Sequence, residues 1–143
     1  MYLIPREIKQ NPVKRWALDD PIFFAAGACH ILCYAFIEDN PDFVPIWIKP
    51  KDGLRGNHIV AVKDDMVFDY RGFSKREDLL QIHKDDAKRQ IHPKWDCELV
   101  ELPKEALISE THSRSYDGLW LREPKQFLHD ALPRARSYMR AIL

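Results

Sequence analysis

The apolar residues of the chain follow two different spacings, which together predict both helices and strands. Nearly unbroken apolar character over residues 23–37 predicts a buried helix. This helix should end before Pro41, because a residue that precedes proline disfavours the helical conformation. Alternation of apolar and polar residues predicts four strands, at residues 43–49, 58–63, 66–71 and 97–102.

Helical spacing of apolar residues returns twice in the second half of the chain. Ser74 and Glu77 match a helix capping box and predict a helix over residues 75–90. A second pattern begins at Pro124 and predicts an amphipathic C-terminal helix that Pro133 interrupts. The order of elements predicts an α+β fold in which helices pack on a small antiparallel sheet.

Two of the predicted strands form a hairpin that brings polar residues together. With Asp64-Asp65 as the turn, symmetric antiparallel pairing sets His58 opposite Arg71. Asp69 then shares a face with His58 as its diagonal neighbour, about 7–8 Å away at Cα. A carboxylate there can orient an imidazole and raise its basicity, as a base that serves a thiol requires. Taken singly, His58 also fits a strand-end histidine, and Asp69 a surface carboxylate paired with Arg71.

Cys29 stands where a cysteine can become a nucleophile. Small residues at 25–28 let the chain turn closely into the apolar helix, and a helix that begins near Gly27 places Cys29 in its first turn. The unpaired N–H groups and the dipole of a helix N-terminus favour the thiolate. Cys33, one turn later, should lie deeper and serve packing. The alternative for both cysteines is the usual state of a free cysteine, which is a buried small apolar residue.

Three segments of this pattern resemble a known family. The segments are Gly27-Ala28-Cys29 with the apolar helix that follows, residues 56–62 and residues 67–72. Together they resemble the Cys-His-Asp core of the transglutaminase-like branch of the papain-like cysteine-protease fold. The resemblance implies that the helix bearing the cysteine packs on an antiparallel sheet whose neighbouring strands supply the other two residues. It implies Cys29 as nucleophile, His58 as general base and acid, and Asp69 as the residue that orients the histidine.

Two positions depart from the family pattern. His30 follows the cysteine where many members have tryptophan. Papain-type enzymes place a glutamine a few residues upstream for the oxyanion, whereas the nearest upstream glutamine here, Gln10, is too remote in sequence to carry over. The backbone N–H of Cys29 is one candidate oxyanion donor, and Asn57 or Trp47 is a candidate for a second. The candidate substrate-binding residues are Trp47, Asn57 and Arg71.

Composition narrows the classes of function. A chain of 143 residues suits a single domain, 1–143. Lys and Arg together number 22, as do Asp and Glu, so no global field draws the protein to nucleic acid or to a membrane surface. The sequence contains neither a secretory leader nor a membrane-spanning stretch, which predicts a cytoplasmic protein unless export is non-classical. Three cysteines, an odd number, predict reduced thiols.

Cofactor and metal sites are not expected. The chain has no glycine-rich phosphate-binding motif and no Gly-x-Ser-x-Gly motif. Cys29, His30 and Cys33, with His58, offer donors for zinc, but their spacing within one helix is unlike that of a zinc knuckle. We therefore expect neither a cofactor nor a metal.

The leading hypothesis is cysteine-dependent hydrolysis or acyl transfer at an amide of a protein or peptide substrate. Water as the acceptor makes a peptidase or a deamidase, and an amine makes a transglutaminase. One alternative is a catalytically inactive binding module on the same fold, which the absent upstream glutamine favours. Another is a bacterial effector or toxin domain that uses the same three residues.

Overall fold

The structure is a computed structural model that describes residues 1–143. It contains seven α-helices: α1 Arg6–Lys9, α2 Pro12–Trp16, α3 Asp20–Ala25, α4 Cys29–Asp39, α5 Arg76–Gln90, α6 Glu110–Ser113 and α7 Ala131–Ile142. Five strands form one sheet: β1 Val44–Pro50, β2 His58–Lys63, β3 Met66–Asp69, β4 Gly72–Lys75 and β5 Cys97–Glu101. The strand order is β4-β3-β2-β1-β5, and every neighbouring pair is antiparallel. The predicted α+β class with an antiparallel sheet is confirmed.

The sheet has an apolar core on each face. Alternating side chains of β1 divide between the faces, with Trp47 on one side and Ile46 and Ile48 on the other, as the alternation of the sequence predicts. On the Trp47 face, α4 packs between the sheet and α7. The ring of Phe36 in α4 stacks on Phe68 of β3 with 4.1 Å between the centroids. Helix α5 covers the opposite face.

The predicted helix over residues 23–37 is two helices, α3 and α4, and the single-helix prediction is wrong. The chain breaks at Ala26-Gly27-Ala28, where Gly27 has φ +111°. Helix α4 is buried on several sides, and Phe23 and Phe24 of α3 are buried as well, so apolar residues continue through the break and their periodicity cannot reveal it. The new helix starts at Cys29, which therefore lies in the first turn as predicted.

The predicted hairpin has the expected centre but a shorter second strand. Lys63 pairs with Met66 across Asp64-Asp65, as symmetric pairing requires. Strand β3 nevertheless ends at Asp69, and the chain turns back there to form β4, so Arg71 lies in a turn rather than opposite His58. Gly72, at φ +91°, makes this turn possible.

The helix boundaries in the second half also correct the prediction. Ser74 lies in β4 and does not cap α5; Lys75 is the N-cap, without a side-chain bond. Pro133 does not interrupt α7, because it occupies the first turn, where a helix needs no backbone donor. Residues 104–123, whose polar sequence is hard to assign from its pattern, contain the 3-10 helix Lys104–Ile108 and α6. None of the helices has both the length and the apolar character that crossing a membrane requires.

Candidate active site

The backbone just before Cys29, at the start of α4, is bound by a buried arginine side chain. The guanidinium of Arg15, from α2, donates hydrogen bonds to the carbonyls of Lys9 and Gly27, at 3.3 and 3.2 Å. A Cβ atom on Gly27 would approach Arg15 Nη2 to 2.0 Å, so any other residue there would have to displace the guanidinium and adopt the strained φ of +111°. The backbone N–H of Cys29 has no acceptor within the chain, as expected for the first residue of a helix.

His58 and Asp69 form a buried pair at the ends of neighbouring strands. His58 Nε2 lies 3.0 Å from Asp69 Oδ2, and both residues are 3% exposed. A carboxylate can only accept a hydrogen bond, so Nε2 carries the proton and Nδ1 is left to serve the thiol. The Asp69 oxygens also accept from Arg71, whose backbone N–H lies 2.9 Å from Oδ1 and whose Nη2 lies 2.8 Å from Oδ2.

The thiol and the imidazole change each other's proton affinity. Burial raises the pKa of Cys29, but hydrogen bonds and charge from His30 and His58 outweigh burial and lower the pKa to about 5. Burial lowers the pKa of His58, but Asp69 and Cys29 outweigh burial and raise the pKa to about 9. For Asp69, burial is outweighed by His58 and Arg71, which hold its pKa well below the usual value. Between about pH 5 and pH 9 the pair is therefore a thiolate and an imidazolium.

A cavity of about 750 Å³ opens in front of this pair. Cys29, itself partly exposed, and His58 both lie in its wall. The predicted substrate-binding residues, Trp47, Asn57 and Arg71, also line it.

Of the two side chains considered as a second oxyanion donor, only Asn57 has a free N–H group. The indole N–H of Trp47 donates to Asn57 Oδ1 at 2.8 Å, so it is occupied and cannot also serve an oxyanion. The same bond leaves the Asn57 Nδ2 group free to donate. The unpaired N–H of Cys29 and the amide of Asn57 remain as candidates.

One further histidine, His83, packs against the site. His83 stacks on His58, with centroids 5.7 Å apart and planes 8° apart, and its Nε2 donates to the Gly56 carbonyl at 2.7 Å. Burial, and then the charge of His58, lower its pKa to about 4. A histidine on the apolar face of α5 is typically satisfied within the core, as His83 is, but the periodicity of the sequence gives no sign that it stacks on His58.

His30 and Cys33 have roles other than metal binding. His30 Nε2 donates to the Arg122 carbonyl at 2.7 Å, and no group of three or more His, Cys, Asp or Glu side chains is placed to hold a metal ion. Cys33 is 2% exposed within the core, and burial raises its pKa well above the usual value. The packing role predicted for Cys33 is confirmed.

The site thus combines a polarised thiol, an imidazole bound to a carboxylate, and an open cavity. Side chains arranged in this way can form and resolve a covalent acyl intermediate. No protein-family model matches the chain, and no curated protein or solved structure matches it either.

Proposed function

We propose that the protein is a cysteine-dependent enzyme that acts on an amide of a peptide or protein substrate. The observation that carries the proposal is the buried His58–Asp69 pair, 3.0 Å apart, beside a thiol whose pKa is lowered to about 5. A structural cysteine in an apolar core has its pKa raised instead, as Cys33 does. The low pKa of Cys29 therefore supports a chemical role.

The reaction follows from the protonation states of the two side chains. The Cys29 thiolate attacks the amide carbonyl, forming a C–S bond, and the carbonyl electrons move onto oxygen. The His58 imidazolium gives its proton to the leaving nitrogen as the C–N bond breaks, which leaves a thioester and neutral His58. A water molecule, deprotonated by His58, then attacks the thioester, and Cys29 is released as the acid product forms.

The surroundings of the thiol support hydrolysis over transfer to an amine. Cys29 is partly exposed in an open cavity, so water reaches the position that the thioester would occupy. The N–H of Cys29 and the amide of Asn57 are suited to stabilise the oxyanion. A cysteine at a helix start, packed on an antiparallel sheet, is also the arrangement implied by the transglutaminase-like branch of the papain-like fold.

Alkylation of the folded protein with iodoacetamide across pH, followed by site-resolved mass spectrometry, tests the proposal. Cys29 should react with an apparent pKa near 5, because only the thiolate is nucleophilic. Cys97 is an internal control: it is also partly exposed, but burial raises its pKa. Reaction of Cys29 at the ordinary thiol pKa, or no reaction in the folded state, would favour the inactive binding module.

A further inference from the structure

The cavity wall holds basic side chains without counter-charges. Four cations that line it, Lys9, Arg15, Arg55 and Arg122, form no salt bridge. Of the two acidic side chains of the lining, Asp86 pairs with the N-terminal ammonium of Met1 at 2.9 Å and with Arg89 at 2.7 Å, and Glu110 lies 3.8 Å from Arg114. The cavity is thus positive in a chain whose formal net charge is zero.

Arg122 is the best placed of these cations to bind a ligand. Its guanidinium lies 5.5 Å from the centroid of Phe127 and donates to no acceptor in the protein. Its backbone carbonyl accepts from His30, the residue next to Cys29. An arginine held on an aromatic ring, with its N–H groups free, is suited to bind a carboxylate through two parallel hydrogen bonds.

A second guanidinium shares this location. Arg15 lies 5.5 Å from the same Phe127 ring, and it holds the Gly27 carbonyl two residues before the nucleophile. Arg15 is 8% exposed, and its Nε has no acceptor. Burial and then the charge of Arg122 lower the pKa of Arg15 to about 10. An anion bound at Arg122 would relieve this repulsion between the buried Arg15 and the half-buried Arg122.

We propose that the cavity selects substrates carrying a carboxylate close to the reacting amide, and that the Arg122 guanidinium binds this carboxylate. The reaction at the amide rests on the proposed function, whereas the anion site does not need a reactive thiol. Arg15 adds positive charge beside the site, and the exposed side chains of Lys9 and Arg55, which also line the cavity, add to the same field.

Binding to the Cys29→Ala protein tests the anion site alone. N-acetylglycine and N-acetylglycinamide have nearly the same shape but differ in a carboxylate against a neutral carboxamide, and NMR titration at low salt compares their affinities. The acid should bind at least about tenfold more tightly, within the range of effects attributed to charge-lined clefts. Adding Arg122→Gln should abolish this preference, and Arg140→Gln, which removes an exposed arginine outside the cavity, should keep it.

A conservative variant guards against a folding artefact. Arg122→Lys keeps the charge but not the planar fork, so it should retain part of the preference. Equal affinity for acid and amide in the Cys29→Ala protein, or an unchanged preference after Arg122→Gln in a protein with a normal Tm, would overturn the anion site.

A second measurement links the anion site to the thiol. Iodoacetate and iodoacetamide both alkylate Cys29 by displacing iodide, and they differ in charge. The ratio of the iodoacetate rate to the iodoacetamide rate should be at least about tenfold higher for Cys29 than for Cys97, and should fall in Arg122→Gln. Reaction with iodoacetamide near pH 5 but without this preference would refute the anion site and leave the proposed function standing.

Discussion

Replacing Asp69 by asparagine removes one charge from the centre of the site with almost no change in shape. Both carboxylate oxygens accept hydrogen bonds: Oδ1 from Arg71, and Oδ2 from His58 and Arg71. Asparagine offers one acceptor and one donor, so either orientation of its amide turns a donor toward a donor. The residue is 3% exposed, and water cannot replace the lost contact.

The size of the effect follows from the bonds that are lost. A hydrogen bond to a charged partner contributes about 1.5–3 kcal/mol, which lowers the pKa of His58 from about 9 to roughly 7–8. In Asp69→Asn the pKa of Cys29, which sets the lower limit of the pH range of the thiolate–imidazolium pair, stays near 5, because His58 is still protonated at that pH. The range therefore narrows from its alkaline end alone.

The same substitution has a defined effect on stability. The pKa of His58 is higher in the folded protein than its ordinary 6.5, so its contribution to stability is complete below pH 6.5 and is lost as pH rises toward 9. Asp69 has a lowered pKa, so its contribution is complete above its ordinary 3.8. The loss of unfolding free energy in Asp69→Asn, about 3–5 kcal/mol for a broken buried pair, should thus be largest between pH 4 and pH 6.5.

Two measurements check this prediction. NMR titration of the His58 ring protons reports its pKa, and urea unfolding at several pH values reports stability. Asp42→Asn is the matched control, because Asp42 is an exposed carboxylate bound to Lys63 at 2.6 Å and remote from the cavity. If His58 still titrates near pH 9 and the loss of stability matches that of Asp42→Asn, the carboxylate does not set the state of the imidazole.

Two other predictions concern the support of the site. Gly27→Ala should lower both the unfolding free energy and the alkylation rate of Cys29, because the new Cβ would approach Arg15 Nη2 to 2.0 Å. Gly53→Ala is the control, since Gly53 also has a positive φ but a Cβ there would have nothing within 4 Å. This control should lose only the backbone strain energy of about 1–3 kcal/mol. Equal costs, measured by urea unfolding, would show that the guanidinium moves aside freely. The pKa of His83 falls from 6.5 to about 4, so its contribution to stability is complete above pH 6.5 and is lost as pH falls toward 4, by about 3 kcal/mol. His83→Gln keeps a hydrogen-bond donor that does not titrate. In urea unfolding, the unfolding free energy of this variant minus that of the native protein should increase by this amount as the pH is lowered from 6.5 to 4. A difference that does not change with pH would contradict the lowered pKa of His83.

The sequence predicted those parts of the site that depend on local rules. Strand alternation and the Asp64-Asp65 turn are sufficient to place His58 and Asp69 on neighbouring strands, since the period of two and the turn fix the register. The small residues before Cys29 indicate a helix start. The early end of β3 after Asp69 was missed, because a turn at Gly72 and a strand that continues look alike over so few residues.

The features that sequence reasoning missed depend on contacts between distant segments. Arg15 reaches Gly27 from α2, and Arg122 reaches His30 across 92 positions. A single arginine in a polar stretch carries no pattern, and only tertiary structure shows that its neighbours are also basic. The charge of the cavity was therefore beyond prediction. The glycine at position 27 is the nearest signal in the sequence, because a single glycine among apolar residues points to a turn or a close approach.

The balanced charge of the chain excludes a long-range electrostatic field around the protein, but it does not exclude a local positive field inside the cavity. Salt at about 0.1 M screens charges beyond about 10 Å, so distant acidic residues do not cancel the basic side chains inside the cavity, where screening is weaker. An ion pair on the far surface, such as Lys63 with Asp42, has little influence there. Selection by charge must then act after a substrate has entered the cavity. The preference of Cys29 for iodoacetate over iodoacetamide should consequently persist at physiological salt. Any contribution of Lys9 and Arg55 to this preference should decrease more, because their exposed charges are screened by salt.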